Sequence, residues 1–125
     1  MLNLIKEGGD ERGKILFFTY GEIRLNLFEV KKGFARGGHY HDYPITHTLI
    51  TGKIEHRQEN TLTKEEEISV IAAPAILQIP EKVANLIIAL EDSVFTEVFH
   101  TEYRSITYEK YRSIVFEKLD KKNHE

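Results

Sequence analysis

The sequence predicts an all-β fold, a small antiparallel barrel or double-sheet jelly roll, followed by one short helix. Three observations predict it. Turn-forming residues recur about every 8 to 12 positions, a spacing that suits short strands. The runs between them are apolar or alternate apolar with polar, the period-2 mark of half-buried strands. Only in the C-terminal segment do the large residues adopt helical spacing.

The elements follow in order. Gly8-Gly9 and Gly13 bound the first turn, after an apolar N-terminal strand, and residues 14–20 (KILFFTY) read as a strand. Residues 22–30 (EIRLNLFEV) alternate Ile23, Leu25 and Leu27 against Glu22, Arg24 and Asn26. The alternation slips at Phe28 and Val30, which marks a bulge in this reading. Residues 45–51 and 53–58 are two further strands split by Gly52, and residues 60–66 form a polar turn. Strands over 68–72, 75–79, 83–90 and 94–99 follow, separated by Pro74, Pro80 and Glu91-Asp92. Tyr108, Tyr111, Val115 and Leu119 then mark a helix, with Thr107 as its N-cap and its stripe packed outside the barrel or on a second subunit. The expectation is one domain over residues 1–125, with a barrel from about 10 to 100 and a helical extension from about 106 to 120.

Composition narrows the function classes. A formal charge of -3, with no basic block longer than two residues, argues against nucleic acid as a partner. The apolar runs are too short for a signal peptide or a membrane span, so no membrane association and a cytoplasmic location are expected. There are no cysteines, so a metal would have to be held by His, carboxylate or amide oxygen. An exposed sheet edge and the apolar N-terminal strand suggest a homodimer.

The chemistry concentrates in ARGGHYHDYPITHTLITG, residues 35–52. His39 and His41 are two apart, so on a strand both side chains leave one face about 7 Å apart. Two converging imidazoles can begin a metal site or a proton-handling pair. His47 shares parity with Ile45 and Leu49; it points into the barrel if Ile45 does, and outward if the register shifts by one. His39, His41 and His47 together would suit zinc or another divalent ion and leave a position open. Arg36 could hold a phosphate or carboxylate. Tyr20, Phe28, Tyr40 and Tyr43 are the aromatic candidates for ligand contact, with Tyr43 taken as substrate-binding. His56 lies in a charged strand (EHRQE) and reads as solvent-facing; His100 follows the last strand and His124 lies in the tail.

Gly33, His39, His41 and Gly52 resemble the first conserved motif of the cupin superfamily, and residues 73–85 resemble the second. The resemblance implies a single antiparallel cupin jelly roll. It also exposes departures: Ile45 stands where the family has a glutamate, and Asn85 where it has a histidine. The usual three-histidine, one-glutamate centre cannot form. His47 would compensate, with Asn85 as an oxygen ligand or a substrate contact. Arg36-Gly37-Gly38-His39-Tyr40-His41 and Asp10-Glu11-Arg12-Gly13 resemble small cupins of deoxysugar and polysaccharide biosynthesis, the dTDP-sugar ketoisomerases among them. That resemblance implies His39 and His41 as acid/base residues on a keto sugar or nucleotide sugar, and no organic cofactor. The expectation is a small cupin that binds a divalent metal (Zn, Fe, Mn or Ni) and a small carbohydrate-like ligand in the barrel and acts as a sugar isomerase or epimerase. A metal-dependent oxygenase and a non-catalytic ligand-binding or regulatory cupin are the alternatives.

Overall fold

The computed structural model describes residues 1–99 and 104–123. The strands are β1 (Leu2–Asp10), β2 (Gly13–Tyr20), β3 (Ile23–Val30), β4 (Ala35–Tyr40), β5 (Ile45–Thr51) and β6 (Lys53–Asn60). They continue as β7 (Glu66–Ala72), β8 (Ala75–Ile79), β9 (Val83–Ala89), β10 (Ser93–Phe99) and β11 (Ile106–Thr107), before the helix α1 (Glu109–Asn123).

Pairing is nested: β3 with β10, β4 with β9, β5 with β8 and β6 with β7, all antiparallel. This is one long hairpin rolled over itself, the jelly-roll topology. It yields two sheets, of order β1-β2-β3-β10-β5-β8 and β11-β4-β9-β6-β7. Val30, Leu49, Ile54, Ile87 and Phe95 fill the interior, with the Phe28 ring stacked on Phe95 at 5.0 Å.

β9 is buried on both faces, which explains why VANLIIA is apolar throughout except at Asn85. Ile87 and Ala89 belong to the interior cluster, while Ala84, Leu86 and Ile88 pack against Tyr111 and Val115 of α1. The helix stripe therefore lies on the outside of the barrel, and polar latches fix it there. Tyr108 donates its hydroxyl to Glu59, the Lys110 ammonium lies 2.6 Å from the same carboxylate, and Tyr111 donates to Glu66 at 2.7 Å. Among the described residues no helix is long and apolar enough to cross a membrane.

Four details differ from expectation. Gly8 and Gly9 lie inside β1, which pairs along β2, and the turn falls at Glu11-Arg12. β3 keeps unbroken register with both β2 and β10, so there is no bulge at Phe28 or Val30. The inward set is Asn26, Phe28 and Val30; a polar residue at an interior position made the alternation look shifted. Thr107 pairs with His39 in the sheet instead of capping the helix, which begins at Glu109. His56 is 4% exposed, because it shares the inward parity of Ile54 although its neighbours are charged. His100 and His124 lie outside the described residues.

Candidate functional site

Two glycines shape the strand that carries the first histidines. Gly37 and Gly38 have φ of 106° and 86°, a region that L side chains rarely adopt. A Cβ on Gly37 would stand 2.8 Å from the Asn85 carbonyl oxygen, and one on Gly38 would stand 2.8 Å from Arg112 Cα. Their lack of side chains lets β9 and α1 close on β4. The register shifts between Gly37 and His39, so that His39 sits directly opposite Asn85. Such a bulge re-aims the following side chain.

The other wall includes Glu97 and His47, two neighbours in a row of paired residues that crosses the larger sheet. Lys6, Phe17, Asn26, Glu97, His47 and Leu77 are successive cross-strand partners from β1 to β8. His47 is 3% exposed and its Nε2 lies 3.0 Å from Glu97 Oε2. The inward register of His47 is thus the one realised.

A cavity of about 140 Å³ lies between these walls, lined by His39, His41, His47, Asn85 and Glu97. Arg12, Arg36 and Arg112 line it as well, and Arg12 is paired with the Asp10 carboxylate at 2.9 Å. Arg36 is also a brace: its Nε donates to the Glu29 carbonyl at 2.8 Å and its Nη2 to the Gly13 carbonyl at 3.0 Å. Burial, then the nearby Arg12 charge, lowers its pKa to about 10. Arg112 arrives from α1 and donates to the Gly37 carbonyl at 2.8 Å.

The electrostatics favour neutral imidazoles. Burial lowers the His39 pKa first, with Arg112 and His41 adding to the shift against a raising effect of Glu97. Burial likewise lowers that of His41, with His47 adding and Glu97 and Asp42 opposing. A neutral imidazole has a lone pair available as a base. His39 Nδ1, His47 Nδ1, Asn85 Oδ1 and Glu97 Oε1 are buried without a hydrogen-bond partner among the described residues.

His39, His41, His47, Asn85 and Arg36 therefore line one cavity. Tyr43 does not line it. Its ring packs 5.2 Å from that of His41, and its hydroxyl accepts the Arg104 N–H. The three histidines share the space without forming a ligand set: among the described residues no group of three or more His, Asp or Glu could hold one ion. His47 commits its Nε2 to Glu97 instead. A three-histidine ion does not fit this arrangement.

Glu97 and Arg112 were not anticipated. The signal for Glu97 is parity, since it lies two residues from both Phe95 and Phe99 in an otherwise inward apolar set. Nothing in the local pattern marks Arg112, which reaches the cavity only through the docking of α1.

No protein-family profile and no curated protein matches the chain. Solved structures do. The capsular polysaccharide assembling protein CapF from Staphylococcus aureus aligns at 17% identity and TM-score 0.71, over 84% of this chain and 34% of its own. Bacillus subtilis oxalate decarboxylase aligns at 16% identity and TM-score 0.76, over 90% of this chain and 33% of its own. The Lactobacillus farciminis oxalate decarboxylase, solved as a formate complex, aligns at 21% identity and TM-score 0.71, over 87% and 35%. The chain thus spans about a third of the length of these proteins. One CapF structure holds the inhibitor 3-isopropenyl-tropolone, and the Bacillus enzyme has Mn(II) centers. At these identities the likeness establishes the fold, a cupin jelly roll.

Proposed function

We propose that the barrel cavity binds a small anionic, carbohydrate-like ligand and isomerises or epimerises it by histidine acid/base chemistry. One observation carries this reading: two imidazoles held neutral by burial line the same small cavity as three guanidinium groups. The guanidinium groups would hold a phosphate or carboxylate and stabilise negative charge developing on a keto oxygen. His41 or His39 takes the proton from the carbon beside the carbonyl, leaving an enolate-type anion. In an isomerisation the imidazolium so formed returns its proton to the former carbonyl carbon while the neighbouring hydroxyl proton passes to the enolate oxygen. In an epimerisation the other histidine, protonated, delivers a proton to the opposite face, so the substrate and product are isomers.

The test is incubation of phosphorylated and nucleotide-linked keto sugars in deuterated water, with the wild type and with His41→Ala and His39→Ala. Substrate-dependent deuterium incorporation that either substitution abolishes supports the reading. No incorporation with any of these substrates, or incorporation unchanged in both variants, overturns it.

Similarity to a Mn(II) protein raises a divalent ion as the second reading, and the unpartnered buried Nδ1 of His39 and Oδ1 of Asn85 favour it. No step is assigned to an ion, because the three histidines do not form a ligand set. Stoichiometric zinc, iron, manganese or nickel in protein purified without added metal would establish this second reading. We further read the chain as a homodimer, supported by the exposed Leu2, Leu4 and Ile5 of the edge strand β1. Sedimentation equilibrium tests it, and a monomer at all concentrations rejects it.

A further inference from the structure

A second and larger cavity, about 400 Å³, opens on the same face of the larger sheet. Its size falls within the about 300–1,000 Å³ typical of small-molecule sites. Phe17, Phe28 and Phe99 form its aromatic wall, and Lys6 and Arg24 add two cations from exposed positions. The Lys6 ammonium lies 4.7 Å above the Phe17 ring. Glu97 and Phe28 line both cavities, so the two meet at a shared wall. At that wall His47 occupies Glu97 Oε2, whereas the buried Oε1 has no partner among the described residues.

We propose that this cavity is a binding site for a planar aromatic anion carrying a hydroxyl or amine donor. Each part of that ligand answers a feature of the site. The phenylalanine faces suit a flat ring, which gains from stacking as well as from burial. Lys6 and Arg24 suit a carboxylate or sulfonate. Glu97 Oε1 calls for a donor, since a buried carboxylate oxygen left unpaired is costly. A purely apolar ligand would leave the cations and the carboxylate unused. The inference goes beyond the isomerase reading, because the cavity can take its ligand whether or not His39 and His41 transfer protons.

Hydroxynaphthoate is the probe, followed by its own fluorescence and by calorimetry on the full chain. Binding of one equivalent per chain is expected. The double substitution Lys6→Glu, Arg24→Glu weakens it about tenfold, as loss of two partly screened charge contacts should. Methoxynaphthoate, which lacks the donor, and hydroxynaphthamide, which lacks the charge, also bind more weakly. Both substituted positions are exposed, and an unchanged circular dichroism spectrum confirms that the variant folds. Binding undetectable to about 1 mM overturns the inference, as does binding indifferent to both the charge reversal and the loss of the donor. If a second copy fills the groove, sedimentation shows a dimer that the double substitution dissociates and that hydroxynaphthoate leaves intact, which also overturns it. In His41→Ala, retained hydroxynaphthoate binding with lost deuterium exchange separates this site from the reaction.

Discussion

Glu97 stands directly opposite His47 in the β5–β10 pair, with Oε2 of the one 3.0 Å from Nε2 of the other. The carboxylate that the first motif lacks at Ile45 is thus present in the barrel, supplied by a strand fifty residues further on. It bonds to an imidazole and raises the proton affinity of two more.

Removing that charge has a defined signature. Glu97→Gln keeps the shape of the side chain but loses the anion, so His39 and His41 should titrate at still lower pH than in the wild type. Histidine Cε1–H resonances followed through a pH titration measure this. The variant should lose about 1–2 kcal/mol of stability as the His47 bond weakens. Unmoved histidine titrations would show that Glu97 does not set the cavity's electrostatics.

His56 predicts an acid limb in stability. In the unfolded chain it takes its proton near 6.5, but burial, then the His47 charge, lowers this to about 4 in the barrel. Between those values unfolding takes up a proton, so acid favours the unfolded chain. The contribution is intact above pH 6.5, declines as the pH falls, and is fully lost below about 4, a change on the order of 3 kcal/mol. His56→Leu should flatten this limb in urea unfolding curves measured from pH 7 downward, while leaving a folded barrel at neutral pH.

Gly38→Ala tests the seat of the helix. The new Cβ would meet Arg112 backbone atoms at 2.8 Å, and the backbone φ of 86° disfavours any L side chain. A loss of about 2 kcal/mol or more is expected. Hydrogen exchange should accelerate in α1 before the barrel strands, and affinity for small anions in the histidine-lined cavity should fall as Arg112 is displaced.

Arg36→Lys separates bracing from charge. Lysine keeps the cation, yet one ammonium cannot reproduce the two guanidinium contacts to the Glu29 and Gly13 carbonyls. Chemical denaturation should show a loss of about 1–3 kcal/mol, the cost of leaving a buried carbonyl unsatisfied. Unchanged stability would assign Arg36 to ligand binding alone.

The strands were legible because period-2 patterning and turn residues are local signals. β5 and β8 fall at the predicted bounds, and β9 ends one residue early. The parity of His47 was legible too, but its direction needed the pairing with β10. What escaped depends on contacts distant in sequence. Glu97 has the inward parity of Phe95 and Phe99, but only its placement opposite His47 shows what the carboxylate is for, and Arg112 reads as an exposed helix residue until α1 docks on Gly38. His56 was misjudged because the charged neighbours in EHRQE hid its shared parity with Ile54. The first strand was underestimated for a physical reason as well: every residue of β1 is exposed, so no buried face disciplines its sequence.

The bulge between Gly37 and His39 has one more consequence. The positions a mutational scan would find least tolerant need not be the histidines, each of which has neutral polar replacements of similar size. They are the two glycines before them, where any added atom must displace the strand on one side or the helix on the other. In this barrel the reactive groups are placed by side chains that are absent.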